Sequence, residues 1–262
     1  MRFGHICWPF PNHASVNMTV RQAVNTLEIL EYFARRLRPA TSAEIADDLG
    51  WPRSSTFKLV GTLAARGYLY EPRGRGGYYP SPRWLVLAEA VTRAEPLPEK
   101  FQRLAKDLME KTGETVAIAA PAGIFATFVD VAESCQPVRY FAEVGDRVPI
   151  HATSAGRALL AQMPLDERER LYRKIDFVAH SRTTPVSADA VEAKLARAVE
   201  RGWHQSNIEY TPDLAGVAMP LPGGGRRLSV VVVGPVSRCL ERRPEMAAMV
   251  AQHLATLPPP RG

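Results

Sequence analysis

The chain has 262 residues, 46% of them hydrophobic, so it can bury a core large enough for two domains or for one large domain. Its 33 Lys and Arg exceed its 27 Asp and Glu, and the net charge of +6 permits a polyanionic partner without requiring one. No segment approaches the ~20 consecutive apolar residues of a membrane span, and no apolar run with a basic flank precedes Met18, so we expect a soluble, cytoplasmic protein without a membrane partner.

The N-terminal residues are predicted to form a tail. His5, Cys7 and His13 are close in sequence, but the prolines between them favour an unstructured segment over a metal site. We expect residues 1–18 to be disordered, with Met18 as an alternative start, and we expect neither a metal ion nor a cofactor. The odd number of cysteines and the lack of CxxC spacing predict reduced thiols at Cys7, Cys135 and Cys239.

Two helices and a turn are predicted next. Thr41, with Glu44 three residues later, predicts a capping box at the start of a short second helix. Gly50 to Pro52 predict a tight turn before a third helix, an order typical of a helix-turn-helix. The first helix is predicted to end near Arg36, and its apolar stripe begins at Val20 and continues with Ala23, Val24, Leu27, Leu30 and Ala34.

The third helix is predicted to turn a slim, donor-rich face outward. A helix that enters the major groove of DNA needs such a face, free of carboxylates. Arg53 and Lys58 would reach phosphates or guanine edges, and Phe57 would contact a thymine methyl group. A solvated helix face is the alternative reading of this helix taken alone. The inner stripe is predicted to hold Thr56, Leu59, Val60 and Leu63, and the outer face Arg53, Ser54, Ser55, Phe57, Lys58 and Gly61.

A basic hairpin is predicted after the third helix. Residues 68–71 and 77–80 read as strands around a Pro-Arg-Gly-Arg-Gly turn. Arg73 and Arg75 in this turn would contact DNA phosphates or a narrow minor groove. The hairpin therefore has the character of the wing that accompanies some helix-turn-helix motifs.

Positive charge is concentrated in this part of the chain. Residues 51–83 contain one acidic side chain, Glu71, so most of the net charge lies here. The consecutive order of capped helix, turn, third helix and basic hairpin favours DNA binding over an ordinary surface. The basic side chains of this segment are Arg53, Lys58, Arg66, Arg73, Arg75 and Arg83.

The remaining sequence predicts a linker helix and a larger α/β domain. We predict a DNA-binding domain over residues 19–80, a linker helix within 81–96 and a C-terminal domain over 97–262, because prolines follow the linker. In the C-terminal domain the predicted helices cover residues 99–111, 155–162, 166–174 and 188–200, with a last helix from about Pro244. The predicted strands cover residues 115–120, 125–131, 139–144, 216–221 and 228–233. The overall fold class is α+β.

Three motifs carry a resemblance to the IclR family of bacterial regulators. They are RSSTFKLVGTLAARGY at residues 53–68, VPIHATSAGRALLA at 148–161, and the stretch from Gly202-Trp203 through Glu209 to GVAMP at 216–220. The similarity covers about residues 19–257. It implies a winged helix-turn-helix, a linker helix and a GAF-like effector-binding domain. It also implies dimers or tetramers that bind operator DNA and, in many members, control catabolic operons in response to small organic acids or aromatics.

The resemblance also implies an effector pocket. Backbone N–H groups of Ser154, Ala155 and Gly156 would start a helix and favour a ligand carboxylate. The alternative is that Thr153 and Ser154 only cap that helix. Members that hold small keto acids have an acidic residue, a cysteine and two serines in the pocket. The matching positions here are Ser206 or Asn207, Gly216, Val231 and Val233.

These differences predict a bulkier and less polar effector than a two- or three-carbon acid, such as an aromatic acid, because apolar walls leave buried polar groups unpaired. Aromatic side chains at Phe128, Tyr140 and Phe141 would line such a pocket or belong to the core. His151 would contact the ligand or serve as a hydrogen-bonded structural residue.

Two other functions remain open at this point. The first is an enzyme with Cys135 or His151 in catalysis. Glu133 would raise the pKa of Cys135, which disfavours a nucleophile there, and no phosphate-binding glycine loop ends in Lys-Ser or Lys-Thr. The second is an architectural DNA-binding oligomer without any effector.

Overall fold

The computed structural model describes residues 20–72, 76–94, 96–222 and 225–257. The chain divides into two compact units between Pro96 and Leu97. The predicted tail over residues 1–18, with its histidines and Cys7, lies outside the described residues, as do Arg73 and Arg75 of the predicted turn.

The N-terminal unit is a helical domain with a small hairpin. Its elements are α1 (Arg21–Arg36), α2 (Ser42–Leu49), α3 (Arg53–Ala65), β1 (Leu69–Tyr70), β2 (Tyr79–Pro80) and α4 (Arg83–Ala94). The core contains Ile29, Tyr32, Phe33, Ala40, Ile45, Val60, Leu63 and Leu69. Helices α1, α2 and α3 contribute buried residues to this core, and α4 has none.

The turn between α2 and α3 follows the predicted chemistry. The hydroxyl of Thr41 accepts a hydrogen bond from the Glu44 N–H at 3.2 Å, and the Thr41 N–H donates to the Glu44 carboxylate at 2.8 Å. Gly50 ends α2 with a φ of 66°, a left-handed conformation that glycine adopts without steric cost. Pro52 caps α3, which begins at Arg53. The predicted capping box is therefore present.

The hairpin is shorter than predicted. Leu69 pairs with Pro80 and Tyr70 with Tyr79, so only two residues of each predicted four-residue strand form the ladder. An isolated bridge between Ala40 and Tyr78 ties the second strand to the segment before α2. This approach requires Gly77, since a Cβ there would lie 2.5 Å from the Ala40 carbonyl carbon.

The predicted apolar stripe of α1 is wrong. The helix buries Ile29, Tyr32 and Phe33, whereas Ala23, Leu27 and Ala34 of the predicted stripe are exposed. Apolar residues occur on two sides of α1, so periodicity alone does not identify the inner side. The buried side is set by an aromatic contact, because Phe33 packs edge-on against Tyr79 with ring centroids 5.7 Å apart.

The C-terminal unit is a six-stranded antiparallel sheet with helices on both faces. The strand order is β5-β4-β3-β8-β7-β6. Its strands are β3 (Thr115–Ala122), β4 (Phe125–Ala132), β5 (Arg147–Pro149), β6 (His204–Asn207), β7 (Leu214–Leu221) and β8 (Leu228–Pro235). Its helices are α5 (Glu99–Thr112), α6 (Ser154–Leu160), α7 (Leu165–Tyr172), α8 (Ala188–Arg201), α9 (Val236–Cys239) and α10 (Arg243–Ala255).

Alternation along the central strands divides the interior into two cores. On β8, Val230 and Val232 face a core shared with α5 and α10, while Val231 and Val233 face a core shared with α6 and α8. Both faces of the strand are covered, which explains its nearly continuous run of valines. The α+β class and the two-part architecture predicted from the sequence are confirmed.

The strand predicted over residues 139–144 is wrong. This segment is irregular, and the edge of β4 pairs instead with β5, where no strand was predicted. The Tyr140 carbonyl accepts a hydrogen bond from the Thr115 hydroxyl at 2.7 Å, so a side chain satisfies this backbone group. The short elements β6 and α9 were also missed, and the ends of the other predicted elements are displaced by at most two residues.

Candidate functional site

The outward face of α3 is exposed as predicted. Thr56, Val60 and Leu63 are buried and Leu59 is half-buried. At Gly61 a Cβ would meet no atom within 4 Å, so the helix is slim at this position. The exposed residues on this side are Arg53, Ser54, Ser55, Phe57 and Lys58.

Neighbouring side chains partly occupy this face. Arg53 forms an exposed ion pair with Asp47 of α2, at 2.9 Å, and Ser55 donates its hydroxyl to the Pro52 carbonyl. Within the described part of the chain, Ser54 and Lys58 have no side-chain partner. Lys58 therefore presents an ammonium group whose hydrogen bonds go to solvent, whereas Arg53 must leave Asp47 before it can contact another anion.

A cavity lies on the α6 side of the sheet. It encloses about 450 Å³ of space that is partly open to solvent. Seven of the predicted effector residues line it: Phe128, Tyr140, Ser154, Ala155, Ser206, Val231 and Val233. The other lining residues are Val148, Thr153, Glu209, Tyr210, Thr211 and Leu214.

Two hydroxyl groups face each other in this cavity. The Ser154 hydroxyl donates to the Ser206 hydroxyl at 3.3 Å. Thr153 caps α6, since its side chain accepts from the Gly156 N–H at 3.2 Å. Thr153 therefore caps the helix and also lines the cavity. The N–H groups of Ser154 and Ala155 belong to the first turn, where no preceding helical carbonyl can accept from them.

Three of the predicted effector residues do not line the cavity, because of close backbone packing or because of the direction of the side chain. A Cβ at Gly156 would lie 2.2 Å from the Ile150 carbonyl oxygen, so glycine serves close packing there. Gly216 lies between Ser206 and Val233 in the sheet, and its lack of a side chain lets the Val232 carbonyl approach. Asn207 follows Ser206 on β6 and points its side chain to the other face of the strand.

The His151 side chain does not line this cavity and makes no hydrogen bond within the described residues. Its ring is buried, and neither ring nitrogen has a hydrogen-bond partner among the described residues. It packs edge-on against Phe177 with centroids 5.2 Å apart. Burial, together with His180 and Arg157, lowers the pKa of His151 to about 4, so the ring is neutral at pH 7.

A buried ion-pair network beside the cavity was not predicted. The Glu209 carboxylate accepts from Arg157 at 2.5 Å and from Lys194 at 2.6 Å. Arg157 also donates to the carbonyls of His151 and Gln205, at 3.0 and 2.6 Å. Glu209 is therefore compensated by two cations. The available indication was that Arg157 and Glu209 each lie within one of the two C-terminal motifs.

The cysteines show no arrangement for catalysis or metal binding in the described part of the chain. Cys135 is exposed, and the nearby Glu133 pairs with Arg139 at 2.5 Å. Burial and Glu114 raise the pKa of Cys239 to about 12, so this thiol is protonated. Among the described residues no group of three or more metal-ligating side chains is found, and no helix is long and apolar enough to cross a membrane.

The two units together define a class of protein. A capped α2, a glycine turn, an exposed α3 and a hairpin form a winged helix-turn-helix, and the attached α/β unit contains a cavity. This combination places the chain among helix-turn-helix transcription regulators. The family model "IclR helix-turn-helix domain" matches residues 22–73, and "Bacterial transcriptional regulator IclR C-terminal" matches residues 89–256. The chain belongs to the IclR family of bacterial transcriptional regulators.

Individual relatives agree with this assignment. The chain is 30% identical over 227 residues to the HTH-type transcriptional regulator BhcR of Paracoccus denitrificans, covering 86% of this chain and 81% of that protein. It is 25% identical over 236 residues to the transcriptional repressor IclR of Escherichia coli, covering 88% and 86%. The crystal structure of the Thermotoga maritima IclR shares the fold, with a TM-score of 0.72, 19% identity and coverage of 90% and 96%. The chain is thus a transcriptional regulator and not an enzyme.

Proposed function

We propose that this regulator binds operator DNA through α3 and the hairpin, and that a weakly polar organic acid in the cavity changes its affinity for the operator. The regulated genes would form a catabolic operon, whose repression or activation depends on where the operator lies. The protein would act in the cytoplasm as a homodimer or homotetramer, with a GAF-like effector-binding domain at residues 97–262.

The composition of the cavity wall is the observation that carries this proposal. Phe128, Val148, Leu214, Val231 and Val233 provide an apolar wall. A small keto acid would leave polar atoms unpaired against such a wall, at a cost of about 1 to 3 kcal/mol for each buried group. A ring fits this wall better, because its burial removes apolar surface from water.

One side of the cavity provides the polar contacts that an acid needs. The hydroxyls of Ser154 and Ser206 and the first-turn N–H groups of Ser154 and Ala155 would donate to a carboxylate. The carboxylate of Glu209 also lines the cavity, but Arg157 and Lys194 compensate its charge. An anionic head group would therefore bind at Ser154 and Ser206, with its ring against Val231 and Val233.

Exposed apolar residues on two helices of the N-terminal unit support an oligomer. Leu27 on α1 is 59% exposed, and Val91 on α4 is 66% exposed. The twelve-residue helix α4 contains no buried residue, and Leu85, Val86 and Leu87 are exposed as well. Exposed apolar surface of this extent is typical of an interface between subunits.

The substitution Val231→Ser tests the proposed effector class. Genomic fragments bound by the wild-type protein first provide an operator, and its affinity is then measured with benzoate-type acids and with pyruvate. We expect an aromatic acid to change wild-type operator affinity by about tenfold, and Val231→Ser to shift the preference towards the smaller acid. Val199→Ser, at an exposed position on α8, is the matched control and should behave as wild type.

Two results would contradict this proposal. If Val231→Ser kept the wild-type order of acids, Val231 would not contact the effector. If no acid changed either thermal stability or operator affinity, the protein would instead be an architectural DNA-binding oligomer, since an effector must bind the two DNA-affinity states differently.

A further inference from the structure

A second cavity in the C-terminal unit is lined almost entirely by basic side chains. It encloses about 320 Å³ of space that is partly open to solvent, between α6, α8 and β6. It shares no lining residue with the proposed effector cavity. Its lining residues are Arg157, Lys194, Arg197, Arg201, His204 and Gln205.

Helix α8 provides three of these cations from one side. Lys194, Arg197 and Arg201 are spaced by three and four residues, which places them on the same helix face. Four cations around one cavity repel each other unless anions lie between them. The distribution of carboxylates therefore decides whether the cavity is already neutralised by the protein.

The carboxylates of the protein compensate only one side of this cavity. Glu209 pairs with Arg157 and Lys194, as described above. Arg201 donates to the Trp203 carbonyl, at 2.8 and 3.1 Å, and its guanidinium lies 4.5 Å from the centre of the Trp203 ring. Within the described residues, neither Arg197 nor Arg201 is paired with a carboxylate. Two guanidinium groups thus remain available to an external anion.

A buried histidine provides an independent indication of a ligand. His204 is 5% exposed and lines the cavity, and its Nδ1 has no hydrogen-bond partner among the described residues. Burial and the nearby Arg157 and Arg201 lower the pKa of His204 to about 4, so the ring is neutral at pH 7. A buried polar atom without a partner is costly, and an oxygen acceptor at this place would offset that cost.

We propose that this basic cavity binds the phosphate group of a small molecule. Arg197 and Arg201 would provide bidentate, charge-assisted hydrogen bonds to phosphate oxygens, a geometry that guanidinium groups match well. Neutral His204 would add one ring N–H donor. The ligand is an inorganic phosphate or a phosphate monoester, bound at a site separate from both the α3 face and the proposed effector cavity.

Calorimetric titration of the full-length protein tests this site. Inorganic phosphate and glycerol 3-phosphate are titrated separately at pH 7.5, with chloride adjusted to constant ionic strength. We expect one phosphate group per chain and roughly tenfold weaker binding in Arg197→Gln, because one charge-assisted contact is lost. A preference for the monoester would indicate a phosphorylated metabolite, a preference for inorganic phosphate would indicate the free ion, and equal affinities would show that the site recognises the phosphate group alone.

One control variant keeps the result specific. Arg173→Gln removes the same charge from an exposed position directly after α7. It should bind phosphate as the wild type does. Arg197 is also exposed, so its variant should keep the wild-type unfolding temperature in phosphate-free buffer.

Three results would overturn the proposal. The first is no phosphate binding by the wild type, and the second is equal weakening by Arg197→Gln and Arg173→Gln, which would indicate general charge attraction. The third is a change of oligomeric state in Arg197→Gln, which would assign the cavity to a contact between subunits.

Discussion

Consecutive residues of one motif in the C-terminal unit have different roles, namely helix capping, cavity lining, close packing and ion pairing. In the segment from Thr153 to Arg157, Thr153 caps α6, Ser154 faces the cavity, Gly156 packs against Ile150 and Arg157 binds buried Glu209. The resemblance marked this segment as a whole. It could not separate these roles, because each depends on which neighbour the fold brings to that position.

His151 makes the stability of the protein sensitive to acid. In the unfolded chain its pKa is near 6.5, whereas in the folded protein it is about 4. Above pH 6.5 both states are neutral and His151 contributes no pH dependence. Between pH 6.5 and 4 only the unfolded state binds the proton. As the pH is lowered through this range, the free energy of unfolding therefore decreases by up to about 1.4 kcal/mol per pH unit.

Urea unfolding between pH 7 and pH 4.5 checks this expectation. His151→Leu should unfold with a shallower pH dependence than the wild type, while His204 retains its own contribution in the same direction. Val199→Ser, at an exposed position on α8 without a titratable group, is the control and should keep the wild-type slope. An identical slope in His151→Leu would contradict the account, because it would show that His151 binds its proton equally in the folded and unfolded states.

At the scale of elements, local chemistry predicted the helix starts and turns well. The capping box at Thr41 and the glycine end of α2 depend on neighbouring residues, which the sequence displays directly. The strand predicted over 139–144 failed because tertiary contacts decide pairing: β5 pairs with residues 125–127 of β4, and the Tyr140 carbonyl accepts from the Thr115 side chain instead of a strand. The predicted buried side of α1 was wrong for a related reason, because the side that is buried depends on packing against aromatic residues of distant elements.

The exposed apolar side of α1 leads to a prediction about assembly. We expect Leu27→Glu to weaken the proposed oligomer, because a carboxylate placed in an apolar subunit interface would lose its hydration. Light scattering coupled to size-exclusion chromatography measures the change in mass. Gln22→Glu adds the same charge at another exposed position of α1 and is the control. An unchanged mass for Leu27→Glu would exclude this side of α1 from the interface.

At the scale of the whole molecule, the sequence established more about architecture than about sites. Two units, their order and the winged helix-turn-helix were predictable, because helix periodicity, caps and prolines are local features. The Arg157–Glu209 pair and the basic cavity were not predicted, since they join α6, α8 and β6 across long sequence separations. Charge pairing at such distances becomes visible only in the folded chain.

The salt dependence of operator binding by Lys58→Ala tests the central claim, that the outward face of α3 contacts DNA. We expect about tenfold weaker binding than wild type and a decrease of about 1 in the slope of log affinity against log salt concentration, because one phosphate contact is lost. Lys174→Ala, at an exposed position of the C-terminal unit, should match the wild type in both quantities. Wild-type affinity and slope in Lys58→Ala would contradict the claim.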